Sequence, residues 1–144
     1  MQQSKRLTRE EIRQRLRANG LRNTAARVAV YDRLQALGAP ASHADIADAL
    51  TSFGFDRATI YRNLMDLTDA GLAKRTDVGD HTWRFELAGR ARPEHPHFVC
   101  EDCGEVSCLP EVAVSITHAA GAPRAVSRRR VEVQLRGLCD RCAA

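Results

Sequence analysis

With 144 residues and 44% hydrophobic content, the chain is long enough for one domain or two small ones and too apolar to be disordered. No apolar run approaches the roughly 18 residues of a membrane span, and the opening Met1-Gln2-Gln3-Ser4-Lys5-Arg6 leads into no apolar signal core, so a cytoplasmic protein with reduced or metal-bound cysteines is expected. The net charge of +4 is uneven: residues 1–92 hold 16 Lys/Arg against 11 Asp/Glu, residues 93–144 hold 6 against 7, and all five cysteines lie in the rear part. This suggests a polyanion-binding front and a metal-binding rear.

Thr8 followed by Glu11 forms a capping box that opens a first helix, with Ile12 and Leu16 on one face and Asn19-Gly20 as its stop. A second helix starts at Asn23 or Thr24 and runs to about Leu37, its stripe carried by Val30, Leu34 and Leu37. Gly38-Ala39-Pro40 breaks it. Ser42 with Asp45 caps a third helix that turns Ile46 and Leu50 inward. Ser52-Phe53-Gly54-Phe55 is a turn, and Asp56 caps a fourth helix from Arg57 to about Ala70, with Ile60, Leu64 and Leu67 inside. On its other side lie Arg57, Thr59, Tyr61 and Arg62, groups suited to phosphates and base edges. Two strands follow, around a Val78-Gly79-Asp80 turn and through Thr82 to Leu87. Short helices closed by a two-stranded wing predict a winged helix-turn-helix, whose helix before the wing enters the major groove. The competing reading is a helical interaction domain with a solvated Arg/Tyr face.

Residues 88–93 read as a hinge between a winged-helix domain (1–87) and a smaller α/β domain (94–144), an α+β chain as a whole. In the second domain Phe98-Val99 leads a strand into Cys100, Gly104 turns it, and Val106 to Leu109 returns. Pro110 begins a helix expected over 110–120, and alternation of Val131, Val133 and Leu135 with Glu132, Gln134 and Arg136 predicts a third strand. A core of this size calls for a metal and a partner subunit.

Cys100-Glu101-Asp102-Cys103 and Cys139-Asp140-Arg141-Cys142 are two C-x-x-C pairs bracketing 35 residues. Each pair sets two sulfurs at the bite of a tetrahedral ion, so Cys100, Cys103, Cys139 and Cys142 are expected to hold a structural zinc rather than two disulfides. A second ligand set surrounds them. His95 and His97 alternate in a strand and so face one way; Cys108 ends the next strand, and Glu86 ends the wing. Taken singly, each has an ordinary role, as a solvated carboxylate or a small buried hydrophobe.

At this point the chain resembles the ferric uptake regulator family of metal- and redox-responsive repressors. The resemblance rests on Leu21-Arg22-Asn23-Thr24 with Arg27, Ala58-Thr59-Ile60-Tyr61-Arg62-Asn63-Leu64, Ala70-Gly71-Leu72 and Phe85-Glu86-Leu87. It continues through His95-Pro96-His97-Phe98-Val99-Cys100-Glu101-Asp102-Cys103-Gly104 and Gly137-Leu138-Cys139-Asp140-Arg141-Cys142. The resemblance implies a homodimer on palindromic double-stranded operator DNA, a C-terminal dimerisation domain, a structural zinc, a regulatory metal across the hinge, and Tyr61 as a DNA contact. Three positions depart from it. Pro40 stands where the family often has a histidine ligand, with His43 three residues on as the substitute ligand or simply an exposed first-turn histidine. Cys108 replaces a carboxylate, and no histidine stands in Arg128-Arg129-Arg130-Val131 for an additional site.

A thiolate among imidazoles and a carboxylate favours Zn2+ as the regulatory ion, with Fe2+ or Mn2+ as alternatives and peroxide sensing through iron as a variant. No H-E-x-x-H or comparable base motif supports a zinc hydrolase, so no enzyme, no small-molecule substrate and no membrane partner are expected. A zinc-stabilised protein adaptor is the reading from another class.

Overall fold

The computed structural model describes residues 5–88, 95–117, 120–128 and 131–144. The chain divides into two compact units, Met1–Pro93 and Glu94–Ala144. The expected hinge lies, from residue 89 on, outside the described residues.

The first unit runs α1 (Arg9–Ala18), α2 (Ala25–Leu37), β1 (Ala41–Ser42), α3 (His43–Leu50), α4 (Arg57–Asp69), β2 (Ala73–Asp77) and β3 (Trp83–Leu87), with a single 3-10 turn at Thr51–Phe53. Its helices begin where side chains accept the orphan N–H groups of the first turn. Thr8 and Ser42 form full capping boxes with Glu11 and Asp45, and Thr24 and Asp56 accept from Arg27 and Thr59. One apolar face per helix meets at a single core: Ile12 and Leu16 from α1, Val30 and Leu34 from α2, Ile46 from α3, and Ile60, Leu64 and Leu67 from α4. Phe85 of β3 closes it from the sheet. Each such side chain contributes about 1.5–3 kcal/mol on burial, and Leu64→Ala is expected to cost about 2–5 kcal/mol.

The wing is antiparallel, Ala73 opposite Leu87 and Asp77 opposite Trp83. A third, two-residue strand went unrecognised in the sequence. Ala41 and Ser42 pair with Phe85 and Arg84, giving the order β1-β3-β2. Two residues are too few to show alternation, and Ser42 also serves as the cap of α3.

The second unit is built on a three-stranded sheet, order β5-β4-β6, from β4 (His97–Cys100), β5 (Val106–Cys108) and β6 (Gln134–Gly137). β4 pairs antiparallel with β5 and parallel with β6. Two expectations fail here. No helix forms over the described residues of 110–120; among the described residues of this unit the helix is the single turn α5 (Arg124–Ser127). Val112, Val114, Ile116 and Thr117 are β-branched, which costs χ1 freedom in a helix, and the first three alternate with period two. The third strand also begins later than the alternation predicts, at Gln134, and Leu135 on it is exposed.

Candidate metal centres and nucleic-acid interface

Cys100 closes β4 and Cys139 follows β6, so the parallel pairing of these strands, Cys100 opposite Gly137, brings the two C-x-x-C turns together. Gly104 (φ +73°) provides the left-handed turn after Cys103, where its N–H donates to the Cys100 carbonyl at 3.0 Å. The second turn is closed by the Cys142 N–H on the Cys139 carbonyl at 2.9 Å. All four Sγ atoms lie within 4.8 Å of one another, and Cys103 and Cys139 Sγ are 3.8 Å apart. A tetrahedron with zinc–sulfur bonds of about 2.3 Å has edges of about 3.8 Å. None of the five cysteines forms a disulfide in the structure, and the four clustered sulfurs favour the metal over the disulfide alternative.

The backbone N–H of Cys139 reaches Cys100 Sγ at 3.4 Å. With the N–H of Cys103, it holds the Cys100 thiol down to about 6. Cys142 is pushed up, chiefly by its hydrogen bond with Cys139 and then by burial. Sulfurs this close cannot all be thiolates unless a cation offsets their charge. The donor set therefore fits a divalent, thiophilic ion.

The second cluster uses the same sheet. Antiparallel register sets His97 of β4 opposite Cys108 of β5. Two backbone bonds fix this edge: His97 N–H to the Val133 carbonyl at 3.0 Å and Leu109 N–H to the Pro96 carbonyl at 2.9 Å. His95 and His97 meet edge to face, centroids 4.9 Å apart. One ligand atom each from His95, His97 and Cys108 falls within 4.8 Å, a spread that bonds of about 2.0–2.3 Å need only tighten. His97 is 1% exposed. Glu132, not singled out from the sequence, brings Oε1 to 3.8 Å from His97 Nδ1. Glu86 belongs to the first unit, on β3 between Phe85 and Leu87, and is 4% exposed. A carboxylate so buried has to be matched by a cation or by donors.

His43 also belongs to the first unit, and its Nε2 lies 2.9 Å from the Arg57 carbonyl. A carbonyl only accepts, so Nε2 carries the proton. Its ring also meets Tyr61 edge to face at 5.5 Å. The structure thus sets His43 against the start of α4.

On α4, Tyr61 is exposed, Arg57 pairs with Asp48 of α3 at 2.6 Å, and the Thr59 hydroxyl donates to Asp56 while accepting from Arg62. The helix is anchored from α2 by Arg27. Its Nε donates to Asn63 at 3.0 Å, Nη1 to the Arg22 carbonyl at 2.9 Å, and Nη2 to Asp66. This anchor was also missed: it joins residues 36 and 39 apart, beyond any local periodicity. Among the described residues no helix is long and apolar enough to cross a membrane.

Comparison with known proteins agrees with this architecture. The ferric uptake regulator family model matches residues 18–120. The chain is 30% identical to the peroxide operon regulator of Bacillus subtilis, covering 93% of this chain and 92% of that protein. It is 32% identical to the peroxide-responsive repressor PerR of Staphylococcus saprophyticus, covering 88% and 86%. The crystal structure of the ferric uptake regulator of Vibrio cholerae superposes with a TM-score of 0.65 at 25% identity, over 89% of this chain and 99% of that one.

Proposed function

The chain belongs to the ferric uptake regulator family, whose members are metal-dependent transcription regulators and not enzymes, and we propose that it is a zinc-responsive repressor acting as a homodimer on palindromic operator DNA. The observation that carries the choice of zinc is the register of His97 against Cys108, with His95 beside them. Two imidazoles and a thiol form a borderline-soft donor set that suits zinc better than ferrous iron or manganese. Glu86 of the first unit is the proposed fourth ligand. In the sequence Glu86 precedes the linker at 88–93 and His95 follows it, so an ion shared by them ties the DNA-binding unit to the second unit. His43 is the proposed additional ligand: its Nε2 is engaged with the Arg57 carbonyl, which makes Nδ1 the nitrogen by which it would ligate.

The four-cysteine cluster supports a separate, structural zinc. Exposed Val112, Val114, Ile116, Leu135 and Leu138 in the second unit support its role in dimerisation. Arg57, Thr59, Tyr61 and Arg62 on α4 are the proposed DNA contacts. The regulatory ion acts by population shift: it must bind the DNA-competent state more tightly than the other, or operator affinity does not move.

A second reading is favoured by the peroxide-responsive names of the relatives. It has ferrous iron at the same cluster, and peroxide oxidising a ligand histidine or Cys108. One experiment decides between them. Protein with its four-cysteine zinc in place is titrated with Zn2+, Fe2+ and Mn2+ while operator binding and metal content are measured, then exposed to peroxide. Zinc-driven binding that survives peroxide supports the proposal. Binding driven by iron and abolished by peroxide replaces it.

A further inference from the structure

Glu132, read in the sequence only as a polar position of the expected third strand, stands on the opposite side of His97 from Cys108. β4 is the central strand of its sheet: Cys108 faces His97 from β5, and Gln134 faces it from β6. Glu132 lies two residues before Gln134, and on that side Oε1 comes to 3.8 Å from His97 Nδ1. The same Oε1 accepts from Gln134 Nε2 at 3.3 Å, which holds the carboxylate beside the ring. His97 thus has a sulfur from β5 on one side and, on the other, a carboxylate from the segment that leads into β6.

We infer that Glu132 is the positioning residue of the regulatory centre: it accepts the Nδ1 proton of His97, fixes that tautomer, and leaves Nε2 to bind the metal. The inference rests on the regulatory reading above and deepens it. An imidazole has one proton to place when neutral, and the partner of one nitrogen decides which nitrogen is free to ligate. A carboxylate at Nδ1 is the partner that also raises the basicity of Nε2. At 3.8 Å the two groups stand at ion-pair distance, and the inference requires the carboxylate to come in by about 1 Å, to the 2.7–2.9 Å of a charge-assisted hydrogen bond. Direct ligation by Glu132 is the competing role, and the amide variant separates the two, because Gln keeps an acceptor for Nδ1–H but gives up the charge a ligand needs.

The test has two readouts on the full chain with its four-cysteine zinc retained. The first needs no regulatory metal: nitrogen-15 NMR of His97 in wild type, Glu132→Ala and Glu132→Gln. The Nδ1–H tautomer is expected in wild type and in Glu132→Gln, and its loss in Glu132→Ala. The second is zinc affinity at the regulatory site by chelator competition. Glu132→Ala is expected to weaken it about 10–100-fold, as for other partners of metal-bound histidines, and Glu132→Gln to recover most of the loss. An unchanged tautomer in Glu132→Ala, an unchanged affinity, or a Gln variant as weak as Ala overturns the positioning role. If wild type takes up no ion at this cluster, the regulatory reading itself fails, and the tautomer result shows whether Glu132 still orders His97.

Discussion

Cys108 carries more of the functional argument than its single sulfur suggests, because its neighbours are fixed by strand register rather than by chain flexibility. Cys108→Ser removes the thiolate while keeping the size, and regulatory zinc affinity is expected to fall at least tenfold with the fold intact. Cys108→Asp restores an anionic ligand of harder character and is expected to shift the metal preference toward iron and manganese. Metal content after equilibrium dialysis against mixed ions checks both, and an unaltered preference in the Asp variant removes Cys108 from the ligand set. At this scale the sequence was legible where ligands come in local patterns. The C-x-x-C pairs were plain, because a tight turn has a fixed spacing; His95 and His97 were read as alternating in one strand, whereas the strand begins at His97 and His95 precedes it. Glu132 against His97 and His43 against Arg57 were not legible, because each contact depends on which strands or helices become neighbours.

Among the elements, the helices of the first unit were readable because each announces its start with a cap and its face with a 3.6-residue stripe. The region 110–117 was misread because proline at its start outweighed the β-branched alternation behind it. Arg27 shows how an element is held in place for function. Its guanidinium, with a side chain 13% exposed, joins the loop before α2 to Asn63 and Asp66 of α4. Arg27→Ala is expected to destabilise the first unit by about 1–3 kcal/mol and to weaken operator binding without changing metal content, measured by urea unfolding and gel shift. The wing has its own clamp. Asp80 accepts from both Nη atoms of Arg84, at 3.0 and 2.8 Å, and from the Thr82 N–H at 3.2 Å, which lowers its carboxyl to about 2. The folded carboxyl titrates below its ordinary 3.8, so its stabilisation is fully present above that value and fades as pH falls through about 2. The pair is exposed and screened, so it contributes under about 1 kcal/mol. Asp80→Asn is accordingly expected to leave stability nearly unchanged at neutral pH and to flatten its decline between about pH 4 and 2 in an acid titration.

For the whole molecule, charge and cysteine placement lead to the expectation of a DNA-binding front and a metal-binding rear, and the proposed coupling of the two is a matter of linkage. If zinc at Glu86, His95, His97 and Cys108 tightens operator binding by some factor, operator DNA must tighten zinc binding by that same factor. Zinc affinity is therefore expected to rise when saturating operator is present, and to stay level with a shuffled duplex at the same ionic strength. Salt must be held constant, because counterion release alone changes DNA affinity steeply. The four-cysteine zinc is expected to be silent in this cycle. It belongs to the fold of the second unit, so Cys100→Ser is expected to unfold or monomerise the chain, by circular dichroism and sedimentation, rather than to uncouple it. Equal zinc affinity with and without operator would show that the ion does not distinguish the DNA-competent state, and a regulator built on that cluster would then have no thermodynamic basis.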